Sequence, residues 1–127
     1  MVKIYMRKIF WKIIFSLLFS ICFSSCITLY FGREVIEINN DYIEIILQNN
    51  NKEKSVYQLY LKIRTNIEGK VRIEWNNGEN FERIIILENN DKFIYNADYY
   101  TNILIIKIYP ENNCRGKINI NYRFYLY

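Results

Sequence analysis

The chain has 127 residues, enough for one modest domain, with a formal charge of +4 and no histidine. Lys3, Arg7, Lys8 and Lys12 precede every acidic residue, and beyond residue 25 the 13 acidic residues meet an equal number of basic ones. That neutral remainder offers nucleic acid no broad basic surface, and without histidine neither a Ser/His nor a Cys/His nucleophile pair can form.

The N-terminus is basic over Met1 to Lys12 and apolar over Ile13 to Phe23, and then reads Ser24-Ser25-Cys26. A basic segment, an apolar core and a small-residue cleavage site make up an export signal. These residues resemble a bacterial lipoprotein signal, in which the cysteine after the small residues is lipidated and becomes the new N-terminus. The resemblance covers residues 1–26 only, and Phe23 stands where that family most often has Leu. It implies a signal peptide over 1–25, lipidation at Cys26, and a cell-envelope location with the membrane as partner through the lipid anchor. The apolar residues Ile27 to Phe31 then form a short tether over 26–32. The same stretch supports a second reading. Ile13 to Gly32 is uncharged and matches the ~20 residues that cross a bilayer, so an uncleaved anchor helix is the alternative, and cleavage to a free protein is the third. In the first two readings the basic end stays inside and the domain over 33–127 emerges outside the cytoplasm.

From Glu34 onward the pattern has a period of two, which places alternate side chains on opposite faces of a strand. "REVIEI" and "YIEIIL" flank "NND" at 39–41 and suggest a hairpin. In "SVYQLYLKIRT", Tyr57, Leu59, Leu61 and Ile63 are expected inward and Tyr60 outward. In "KVRIEW", Val71, Ile73 and Trp75 are expected inward. "NIEG" joins these two strands as a tight turn, and Asn77-Gly78 is a strong hairpin signal before "FERIIILE". "FIYNA" is a short strand. "NILIIKIYP" is apolar on both faces, hence central, and Pro110 ends it. The last strand, "KININYRFYLY", turns Ile118, Ile120, Tyr122, Phe124 and Leu126 inward. About eight strands with short turns predict an all-β fold, a single antiparallel β-sandwich, preceded by the N-terminal signal or anchor helix.

Little chemistry accompanies this framework. No glycine-rich phosphate loop exists, and no metal or other cofactor is implied. Cys114, in "PENNCRG", is the one thiol left if Cys26 is acylated and Cys22 removed, so no internal disulfide is expected. The aromatic content is high, with 12 Tyr, 8 Phe and 2 Trp. If successive turns alternate between ends, loops 48–54, 76–80 and 97–101 share one end. That end gathers Asn77, Glu79, Asp98, Tyr99 and Tyr100 as candidate ligand-binding residues, since tyrosine offers a stacking face and a hydroxyl. The expectation is a non-catalytic module that binds a glycan, an envelope component or a protein partner. The alternative is a structural or assembly subunit of the envelope.

Overall fold

Strand alternation is realised more fully than the sequence suggests, and it begins earlier. The computed structural model describes residues 12–15, 28–79 and 81–127. Residues 12–15 form one helical turn. Cys26 and most of the expected N-terminal helix lie outside the described residues. No helix among the described residues is long and apolar enough to cross a membrane. Eight strands follow: β1 (Thr28–Asn39), β2 (Ile43–Gln48), β3 (Val56–Glu68), β4 (Lys70–Asn76), β5 (Glu82–Glu88), β6 (Lys92–Asp98), β7 (Ile103–Pro110) and β8 (Arg115–Leu126). Residues 28–32, expected to be tether, are the first part of β1. Their lack of charge masked an ordinary alternation in which Gly32 occupies an inward position.

The strands form two four-stranded sheets. The front sheet has the order β1-β8-β3-β6 and the back sheet β2-β7-β4-β5. Every pairing is antiparallel. Along the chain, β1 pairs with β8, β2 with β7, β3 with β6 and β4 with β5. The backbone is therefore a long two-stranded ribbon, rolled so that successive ribbon segments fall in alternate sheets. This is a jelly roll.

Only β4 and β5 form a hairpin within one sheet, at the Asn77-Gly78 turn. The expected hairpin at 39–41 is not one: β1 and β2 lie in different sheets. The "NIEG" turn shrinks to Gly69, because Asn66–Glu68 continue β3, and it too carries the chain between sheets. A short polar turn fits either route, so its sequence alone does not choose the strand's neighbour.

All four turns at one end use a residue in the left-handed region: Asn40, Gly69, Asn89 and Asn113, with φ of 72°, 102°, 52° and 62°. Asparagine and glycine adopt this conformation most readily. Part of the abundant asparagine is thus turn chemistry. We call this the turn end. The opposite, loop end carries the longer connections 49–55, 77–81 and 99–102.

The core lies between the sheets. Leu59, Leu61, Ile63, Ile73, Leu104, Ile106, Ile108, Ile118, Ile120 and Phe124 are fully buried, and Trp75 nearly so. Each is worth roughly 1.5–3 kcal/mol of burial. β8 behaves as read from its alternation. β3 does so except at its start, where a register shift between Val56 and Gln58 buries Val56 and leaves Tyr57 half-exposed against Tyr125 and Tyr127. An extra residue in a strand moves the preceding side chain to the other face.

Candidate functional site

The three loops chosen from sequence do share the loop end. Asn49 organises it. Its side chain is buried, its amide donates to Lys54 O at 3.1 Å and Asn102 Oδ1 at 3.3 Å, and its Oδ1 accepts from Asn51 N at 3.0 Å. A backbone bond from Asn49 N to Asn102 O at 2.9 Å ties two of the loops together. Lys54 Nζ donates to Thr28 Oγ1 at 2.6 Å, which pins the first loop beside the start of β1.

The five candidate side chains do not converge into one site. Tyr99 belongs to the core: it is 4% exposed and packs edge-on against Phe81 and beside Phe124. Its hydroxyl donates to Ile103 O at 2.6 Å. Burial pushes its pKa up to about 12, so the hydroxyl stays a donor at any physiological pH. Asn77 Oδ1 accepts from the backbone N–H of Glu79 and Phe81 and is consumed by its own turn. Glu79 and Asp98 are exposed, and Asp98 ends β6 opposite Gln58. Tyr100 alone presents a large open ring, 72% exposed.

A better-formed site lies on the outer face of the front sheet, where strand order brings together residues remote in sequence. Phe31 on β1, Arg123 on β8 and Tyr60 on β3 stand in one row. Arg33, Asn121 and Lys62 stand in the next row on the same face. Adjacent strands are ~4.8 Å apart, so each row spans about 10 Å. The Arg123 guanidinium lies over the Tyr60 ring at 5.1 Å, and Arg33 Nη2 donates to Asn119 Oδ1 at 3.1 Å. Asn121 is short, and between two long cations it makes a low floor. The result is a shallow depression of about 370 Å³, which also reaches Gly32 and Tyr122. Ligand sites usually start near ~300 Å³, so it has room for one or two sugar rings. A Cβ on Gly32 would run into the Tyr122 ring, 2.6 Å from Cζ. The missing side chain thus leaves room for the inward Tyr122 ring beneath the edge strand.

Charge is sorted between the two faces. The front sheet's outer face carries Arg33, Lys62, Arg64, Lys92, Arg115, Lys117 and Arg123 against Glu37, Glu68 and Asp98. On the back sheet's outer face, Arg72 pairs with Glu74 at 3.4 Å and Lys70 with Glu88 at 3.5 Å. A chain balanced in sequence therefore folds with one basic face, which its totals concealed. A second depression, of about 440 Å³ at the turn end, is lined by Glu37, Arg115 and Lys117 among others. It sets one carboxylate against two cations. The first depression has three cations and no carboxylate in its lining.

Cys114 is fully buried, with its Cα, Cβ and Sγ facing the open side of Gly69. Burial, with Glu111 as a smaller contributor, raises its pKa and keeps it as an unreactive thiol.

No family model and no curated protein matches this chain. Two of the solved structures it is similar to are a Bacillus pilus and a Yersinia protein. The first is described as "Bacillus endospore appendages form a novel family of disulfide-linked pili": 16% identity over 81% of this chain and 93% of that one, TM-score 0.45. The second is the Yersinia pseudotuberculosis-derived mitogen: 17% identity over 76% of this chain and 86% of that one, TM-score 0.41.

Proposed function

We propose that this protein is a membrane-anchored lipoprotein of the bacterial cell envelope, held through Cys26 with its jelly roll outside the cytoplasm, and that it binds an anionic saccharide without catalysis. The observation that carries the binding reading is the depression walled by Phe31, Tyr60, Arg33, Lys62 and Arg123. Aromatic faces stack on the apolar faces of sugar rings. Arginine and lysine pair with the carboxylate or phosphate of an acidic polymer, and arginine does so bidentately. The lining holds no nucleophile–base pair, and its cations suit holding a charged ligand in place.

Detergent-solubilised full-length protein on an array of neutral and acidic glycans tests this reading. Acidic glycans are expected to bind, with the signal falling as salt rises. Arg123→Ala is expected to weaken binding about fivefold, since an exposed ion pair is worth up to about 1 kcal/mol. Equal binding of neutral and acidic glycans would sink the proposal. Silence on the array would favour the assembly reading, for which edge strand β5 exposes Ile84 and Ile86. The anchor has its own test. A fatty-acid analogue fed to cells should label the wild type and leave Cys26→Ser unlabelled.

A further inference from the structure

We infer that the loop end of the jelly roll is a docking surface for the lipid bilayer, with Tyr100, Tyr127 and Leu29 seated at headgroup level. This inference rests on the membrane-anchoring reading above. It takes the domain itself, beyond its anchor, to be in contact with lipid.

The first argument is one of chain length. β1 begins at Thr28, two residues after Cys26. Two residues of fully extended chain reach at most about 7 Å. An anchor at Cys26 therefore leaves no tether, and the end at which β1 starts is held within that distance of the acyl chains. Strand direction alternates throughout, so this end also holds the three longer loops and the close of β8.

The second argument is independent of the anchor. The two most open rings of the jelly roll stand at this end, with Phe31 on the front sheet's outer face and Tyr42 at the turn end. Tyr100 and Tyr127 are each 72% exposed, and Leu29 at the start of β1 is also open. Tyr57 packs at a tilt against Tyr127 at 5.9 Å and against Tyr125 at 6.2 Å, forming a tyrosine cluster along the rim. At the turn end, the large rings are Tyr42 and Tyr109, which pack on one another at 5.0 Å. A tyrosine ring with a polar tip suits the zone between hydrocarbon and water, where such residues are enriched. The loop-end charges are mixed, with Lys52 and Lys54 against Glu53, Glu79 and Asp98. The contact is therefore aromatic in character, not electrostatic. Because Asn49 ties the 49–55 and 99–102 loops together, that part of the surface is formed before it meets lipid, and little ordering entropy opposes docking.

The test uses full-length protein reconstituted into phosphatidylcholine vesicles that contain acyl-brominated phosphatidylcholine. Tyr100→Trp and Asn112→Trp place an indole at exposed positions on the two opposite ends, and emission of the parent protein is subtracted. The Tyr100→Trp indole is expected to shift to the blue and lose emission to the brominated lipid, equally at low and high salt. The Asn112→Trp indole is expected to keep its emission. If the protein floats with the vesicles and the two indoles are quenched alike, or neither is, the docking inference is overturned while the anchor stands. If the protein does not float with the vesicles, the anchor reading fails and the inference falls with it.

Discussion

Gly116→Ala should destabilise the fold by at least about 3 kcal/mol, counting roughly 1–3 kcal/mol for the backbone conformation and more for the clash. Gly116 lies in β8 between Ile38 of β1 and Ile67 of β3, with φ of 136°. A Cβ there would meet Asn66 O and lie 2.7 Å from Ile67 Cα. Both are backbone of the neighbouring strand, which cannot swing aside as a side chain can. Gly78→Ala is the matched comparison. Its φ is 79°, but the nearest atom a Cβ would meet is the end of Ile105 at 3.8 Å. It should cost only the conformational strain, about 1 kcal/mol. Urea unfolding of the two variants reads the difference directly. Equal losses would show that strand approach at Gly116 has no cost of its own.

Trp75→Ala is the second large effect, an expected loss of about 3–5 kcal/mol from the cavity it opens. Trp75 reaches from β4 across to β6, with ring centroids 5.1 Å from Phe93 and 6.0 Å from Tyr95, so it bridges the two sheets. It is 1% exposed, and its Nε1–H finds no partner among the surrounding protein groups. An unpaired buried donor costs roughly 1–3 kcal/mol. Trp75→Phe removes that donor along with some volume, and the two terms oppose each other. The phenylalanine variant should therefore keep most of the stability that alanine loses. Denaturant midpoints for the three proteins decide it. If phenylalanine is as damaging as alanine, neither the retained ring nor the relieved donor stabilises this position.

The fold was legible in the sequence at the level of faces and lost at the level of neighbours. Alternation in 118–126 and 71–75 names the buried side of β8 and β4 residue by residue, because a strand's period is fixed by backbone geometry. It does not say that β8 lies between β1 and β3, since a face pattern is silent about which strand sits alongside. Tyr57 was misread because one extra residue at the start of β3 reverses the face, and nothing in "SVYQ" announces it. The depression was invisible for the same reason as the strand order. Phe31, Tyr60 and Arg123 are separated by most of the chain and meet only through the β1-β8-β3 arrangement. Gly32 was a usable signal: a lone glycine within an alternating run often marks a close approach. Tyr99 and Tyr100 are adjacent and alike in chemistry, yet one is core and the other open, because the backbone of Tyr99 bonds to Tyr57 O and fixes its ring inward.

The position of β8 also governs when this protein can fold. β8 comes last of the eight described strands, yet it is the one on which β1 and β3 both pair. Until residues 115–126 are available, the front sheet is two separated pieces with open edges. Contacts between distant parts of the chain form slowly, because loop closure must precede any gain from them. Closure of the front sheet therefore waits on β8.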